Sequence, residues 1–165
     1  MLSEKMIDKL NEQINLEHYS ANLYLQMSSW AHYRGFPGSA AFLDAHSTEE
    51  MQHMHKLFSY VVETGAYAIV GEIKAPSKKM SDLQSLFQSI YDHEVLVTKK
   101  INELVELALK EKDFSTFNFL QWYCAEQHEE ESLFKSILDK FELIGSEGQA
   151  LYFVDREIGN LLRSK

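Results

Sequence analysis

Residues 65–81 read Gly65-Ala66-Tyr67-Ala68-Ile69-Val70-Gly71-Glu72-Ile73-Lys74-Ala75-Pro76-Ser77-Lys78-Lys79-Met80-Ser81. This stretch decides the topology. It lies between two helix-rich halves and contains Pro76, so it is read as a link, not as a helix. About 15 extended residues reach ~50 Å at ~3.3 Å per residue. A helix of about 28 residues is ~42 Å long. The link can therefore run the full length of a long bundle and start the next helix parallel to the one it left. The other connections are short: a few residues around Phe36-Pro37-Gly38, and a turn near Asp113-Phe114. Short loops make antiparallel neighbours. The expected architecture is all-α, with two antiparallel hairpins joined by one long crossover.

Helix punctuation on either side of the link agrees. Ser3, Ser39, Ser81 (with Gln84 completing a capping box) and Ser115 are the expected N-caps, and Gly35, Gly65 and Gly145 the expected stops. A single domain over residues 1–165 is expected, with bundle helices at about 4–34, 40–64, 82–112 and 116–144. A short apolar stretch at about 150–162 predicts a fifth helix. Only two prolines and seven glycines interrupt the chain, and strand alternation is nowhere sustained.

Composition limits the function classes. The formal net charge of −9 repels phosphates and argues against a nucleic-acid partner. It suits cations. Cys124 is the single cysteine, which rules out an internal disulfide, a Cys-rich zinc site and an iron–sulfur site on this chain. Its expected role is that of a small helix residue. The polar start Met1-Leu2-Ser3-Glu4-Lys5 lacks the apolar run of a signal peptide, and no stretch approaches the ~20 apolar residues of a membrane span. A reducing, cytoplasmic compartment is expected, with no membrane partner.

Reading each helix in alternating steps of three and four gives its core stripe. The stripes run through Ile7, Leu10, Ile14, Glu17, Ala21 and Tyr24; through Leu43, His46, Glu50, His53 and Leu57; through Phe87, Ile90, Glu94, Val97 and Ile101; and through Leu120, Tyr123, Gln127, Glu130 and Phe134. Each has apolar ends and an ionisable middle. In the expected topology Glu17, Glu50, His53, Glu94, Gln127 and Glu130 meet at one level. An unpaired buried carboxylate costs several kcal/mol, and no Lys or Arg lies on any stripe to offset it. Two divalent cations match the charge of four glutamates, with His53 as a nitrogen ligand. Spacing by three puts Glu50 and His53 on one helix face. Glutamates from two helices plus a Glu-x-x-His helix form the general carboxylate di-iron pattern.

The residues Asn11-Glu12-Gln13-Ile14-Asn15-Leu16-Glu17, Glu49-Glu50-Met51-Gln52-His53-Met54, His93-Glu94, Phe117-Asn118-Phe119-Leu120-Gln121-Trp122-Tyr123 and Glu126-Gln127-His128-Glu129-Glu130 together resemble the bacterial non-haem ferritins over essentially the whole chain. The resemblance implies a ferritin-like bundle with a fifth helix, a shell of twenty-four subunits, and oxidation of Fe(II) by oxygen or peroxide, with ferric mineral stored in the cavity. It implies two irons per centre. Glu17, Glu50 and His53 would form the first site, and Glu50 would bridge to a second held by Glu94 and Glu130. Gln127 and Tyr24 would orient ligands or water. Glu49, Glu126 and Glu129 match an additional, third iron site. Where bacterioferritins repeat the Glu-x-x-His motif on the fourth helix, this chain has Gln127 and Glu130; Met51 is expected to pack rather than to ligate haem, and no haem is expected. Rubrerythrins would add a Cys-rich module. The smaller DNA-protecting relatives bind iron between subunits, whereas Glu94 and Glu130 favour a site within one. His18, His32, His55, His93 and His128 are expected at the surface or at interfaces, and His46 is left open between a core histidine and a group near the metals.

Overall fold

The computed structural model describes residues 2–163, and the described residues form five α-helices and a terminal turn of 3₁₀ helix. α1 spans Glu4–Tyr33, α2 Pro37–Glu63, α3 Leu83–Glu111, α4 Phe114–Ile144 and α5 Gln149–Asn160, continued by a 3₁₀ turn at Leu161–Arg163. None of these helices is long and apolar enough to cross a membrane.

The starts of the helices differ in detail from the expected caps. Ser3 caps α1 as expected, accepting the Met6 N–H at 3.0 Å. α2 begins at Pro37, ahead of the expected residue 40, because proline at the first helical position has no N–H to leave unpaired. Ser39 is therefore already inside the helix and donates its own N–H to Asp155 of α5. Asp82, not Ser81, caps α3; its carboxylate accepts from the Ser85 N–H at 2.7 Å and from the Ser81 hydroxyl at 2.8 Å. Asp113, not Ser115, caps α4 by accepting the Thr116 N–H at 3.0 Å. Aspartate and serine cap equally well, so adjacent candidates compete.

Two apolar clusters fill the bundle. One holds Tyr24, Met27, Phe42, Leu43, Phe87, Ile90, Phe134 and Phe141 together with Val154 and Ile158 of α5. The other holds Met6, Leu10, Ile14, Leu57, Val61, Ile101, Leu104, Leu120 and Tyr123. The second half of α1 thus shares a cluster with the first halves of α2 and α3 and the second half of α4. That sharing makes α1 antiparallel to α2, α3 antiparallel to α4, and α2 parallel to α3.

The crossover makes this possible. Ala66 and Ala68 join the second cluster and Met80 packs against the first, so the link does run from one end to the other. Two asparagines one turn apart on α1 hold it. Asn11 donates to the Tyr67 carbonyl at 3.3 Å and accepts the Ile69 N–H at 2.9 Å. Asn15 donates to the Ile69 carbonyl at 3.0 Å and accepts the Gly71 N–H at 2.7 Å. The side-chain amides supply the backbone partners that an irregular segment lacks.

Candidate metal centre

Between the two clusters lies a buried polar belt. Glu17, Glu50, His53, Glu94, Gln127 and Glu130 are all buried there, with Glu17 wholly inaccessible at 0 % exposure. Each helix brings its polar residue to the belt because the apolar stretches on either side of it seat in the two clusters.

Glu17, Glu50 and His53 come together: one ligand atom of each lies within 4.8 Å of the others. His53 Nδ1 is 3.4 Å from Glu50 Oε2. Two buried atoms of this trio, Glu17 Oε2 and His53 Nδ1, have no hydrogen-bond partner. Buried polar atoms are normally satisfied, and a cation placed among these three would satisfy both. The residues therefore fit a divalent metal. The other Glu17 oxygen accepts from Gln13 Nε2 at 2.5 Å, which fixes the carboxylate's orientation.

Glu94 is held differently. Tyr24 donates its hydroxyl proton to Glu94 Oε1, and Gln127 Nε2 donates to Glu94 Oε2 at 3.1 Å. The two residues expected to orient ligands thus both grip the same carboxylate. Glu130 faces His46 across the belt, with Oε2 3.6 Å from His46 Nε2. Two further groups share Glu49, which is half-buried: one with His53 and Glu126, the other with His46 and Glu130. His53 Nε2 lies 3.8 Å from Glu126 Oε1. Glu129 is exposed and joins neither of these groups, nor does Glu94.

The charges act on one another. Burial, and then the charge of Glu50, raises the Glu17 carboxyl well above the usual carboxylate range. Burial and the charges of Glu94 and Glu130 do the same to Glu50. Burial brings Glu94 up to about 7 although Tyr24 and Gln127 pull it down. Without a cation the belt holds protons in its place. Burial and the charge of Glu94 push the Tyr24 phenol well up, so Tyr24 remains a donor. His93, expected at the surface or at an interface, lies close to the belt. It is partly buried behind Tyr24, at 6.2 Å between ring centroids, its Nε2 is 2.8 Å from Ser20 Oγ, and burial lowers its imidazole to about 4.

Sequence reading passed over two residues of the belt and left a third open. Gln13 stands one turn before Glu17 on the same face, a spacing that signals a side-chain pair. Tyr123 reads as core, yet the Glu17 and Glu50 charges act on its phenol after burial does. His46 sat on the stripe with its role open.

Comparison with known proteins agrees with this geometry. Residues 7–144 match the family model described as a ferritin-like domain. A probable bacterial non-heme ferritin-like protein of Haemophilus influenzae is 54% identical over 161 residues, 98% of each chain. The bacterial non-heme ferritin of Campylobacter jejuni is 50% identical over 165 residues, covering 100% of this chain and 99% of its own. Among solved structures, the open pore ferritin of the archaeon Archaeoglobus fulgidus superimposes with a TM-score of 0.93 at 44% identity, covering 96% of this chain and 98% of that one. The Chlorobium tepidum ferritin does so with a TM-score of 0.87 at 50% identity, covering 96% and 98%. The chain belongs to the ferritin family, and the relatives it resembles over nearly its whole length are bacterial non-heme ferritins.

Proposed function

We propose that this protein stores iron, oxidising Fe(II) at the buried belt and keeping the ferric product inside a closed shell of its own subunits. The observation that carries the reading is the trio Glu17, Glu50 and His53 with its two unsatisfied buried atoms. Hard and borderline ions such as Fe(II) match a site rich in carboxylates with one imidazole. Two substrate ions are assigned, one to Glu17, Glu50 and His53 and one to Glu50, Glu94 and Glu130. Two Fe(II) ions together give up two electrons. Oxygen accepts these with two protons and leaves as hydrogen peroxide; if peroxide is the oxidant, the same two electrons cleave its O–O bond and two protons complete two waters.

The chain's own residues hold and orient. Gln13 fixes Glu17, while Tyr24 and Gln127 fix Glu94. The belt's glutamates exchange protons for incoming cations. Glu49 and Glu126, half-buried beside His53, are assigned to transfer of iron away from the pair. Storage needs enclosure, because ferric hydroxide precipitates when free. Exposed apolar side chains at the α4–α5 end, Leu143, Tyr152 and Phe153, offer surface for other copies. Twenty-four copies is the size the family resemblance implies.

The test is aerobic addition of Fe(II) in large excess over protein, followed by size-exclusion chromatography with iron detection. Soluble ferric iron should elute with a large assembly. Iron that precipitates around a monomer or dimer would overturn the storage reading.

A further inference from the structure

We propose that the cavity between α1, α3 and the crossover admits the uncharged oxidant, dioxygen or hydrogen peroxide, which reaches the belt past the ring of His93. This rests on the reading of the belt as an iron-oxidation centre, and it separates the path of the oxidant from that of the metal.

The argument starts from a wall one ring thick. A cavity of about 340 Å³ lies between Tyr19 and Leu23 of α1, Leu86 and Ser89 of α3, and Met80 of the crossover, and His93 is part of its lining. The same ring meets Tyr24 edge-on at 6.2 Å between centroids. Tyr24 donates its hydroxyl proton to Glu94 of the belt. His93 therefore has the cavity on one side and, on the other, the residue that grips Glu94. The ring is tethered through Ser20. That hydroxyl donates to the Leu16 carbonyl at 3.1 Å and is left to accept from His93 Nε2, 2.8 Å away. Breaking this one tether and turning the imidazole opens the cavity toward Tyr24.

Charge decides what the cavity admits. Among the described residues no carboxylate lines it, whereas Lys79 does. A divalent cation is therefore repelled there, and an uncharged molecule is not. Leu23, Leu86 and Met80 suit dioxygen, and the Ser85 and Ser89 hydroxyls can exchange hydrogen bonds with peroxide. A molecule the size of water takes ~30 Å³, so either oxidant fits with room to move.

The metal has a different side of the bundle. α1 packs on α2, α3 packs on α4, and α1 touches α3, so the α1–α3 face lies opposite the α2–α4 face. Glu49 of α2 and Glu126 of α4 are half-buried beside His53. Carboxylates that attract iron thus stand on one face, and the cavity without them on the other.

Xenon is the structural probe, an electron-dense, uncharged stand-in for dioxygen. Crystals of the assembled protein under xenon pressure should show a peak in this cavity, and Ser89→Trp, which fills it from an exposed position, should remove the peak. The kinetic probe is the initial rate of Fe(III) formation at about two Fe(II) per chain, run separately with dioxygen and with peroxide. Ser89→Trp should slow the reaction several-fold at limiting oxidant and leave the rate at saturating oxidant unchanged, and His93→Ala should speed it at limiting oxidant. Slowing with both oxidants, or with one alone, supports the passage and identifies its user. Xenon found only in the smaller cavity beside Gln13, or in neither, overturns the passage. So does a fast parent whose rates neither substitution changes, or a loss in Ser89→Trp that is as large at saturating oxidant. A parent protein no faster than buffer with either oxidant overturns the oxidation reading itself, and the passage with it.

Discussion

Asp155 accepts a 2.7 Å hydrogen bond from the backbone N–H of Ser39, 116 positions away in sequence. Its second oxygen takes the Gly38 N–H at 2.9 Å. A carboxylate on α5 thus caps α2, which has no capping side chain of its own. The same contact docks the fifth helix on the bundle. Removing it should cost about 1–3 kcal/mol, the range for losing a cap whose partners are buried. Asp155→Ala is therefore expected to lower the melting temperature and to weaken assembly, with Asp155→Asn intermediate. Thermal scans with light scattering check this; an unchanged melting temperature would show that α5 is held by its apolar face alone.

The same junction reverses a general rule. Replacing glycine by alanine inside a helix usually stabilises. Here a Cβ on Gly38 would stand 2.1 Å from the Asp155 carbonyl oxygen, and one on Gly159 would stand 2.9 Å from the Gly38 Cα. Both obstacles are backbone. Gly38→Ala and Gly159→Ala should each destabilise, Gly38→Ala more, as read by chemical denaturation of the apo protein.

Metal-free protein should lose stability as pH rises. Glu94 titrates at about 7 in the fold against an ordinary value of 4.5, and burial raises Glu17 and Glu50 in the same direction. A raised carboxyl binds its proton more tightly when folded. Its contribution is complete below the unfolded value and is lost as pH climbs through the folded one. The apo melting temperature is expected to fall between about pH 5 and about pH 8. Zn(II) at the higher pH should restore it by replacing the protons. A flat or rising apo profile, with no zinc effect, would contradict a belt of protonated carboxyls.

The acidic residues beside the belt should not behave alike. Glu49 and Glu126 each offer a ligand atom close to His53, whereas Glu129 on the same face is exposed and outside that group. Glu49→Ala and Glu126→Ala are expected to slow turnovers after the first several-fold, and Glu129→Ala to do less. Repeated small additions of Fe(II), with the rate followed at each, separate them. Equal slowing by all three would restore Glu129 to the transfer site.

The hairpins and the crossover were legible because glycines, prolines and the length of the 65–81 link constrain the backbone directly. The belt was legible because an acidic residue in the middle of an apolar stripe is costly and needs a reason. What escaped the sequence depends on long-range contacts or on side-chain orientation. Asp155 caps α2 from another element, so no local pattern around Phe36 announces it. Asp82 and Ser81 are both good caps, and only the packed helix decides between them. Tyr24 and Gln127 both ending on Glu94 is a matter of rotamers, as is the turn of the His46 ring toward Glu130.

The central claim is that the belt oxidises iron, and Glu50 is its most exposed test because it is assigned to both substrate ions. The measurement is the stopped-flow absorbance of Fe(III) after mixing with oxygenated buffer, at about two Fe(II) per chain. The parent protein is compared with Glu50→Ala, with folding of both checked by circular dichroism. The expected result is a fast first phase in the parent and, in the folded variant, a rate near that of Fe(II) in buffer. Equal initial rates in the two proteins would contradict the assignment of the oxidation centre to these residues.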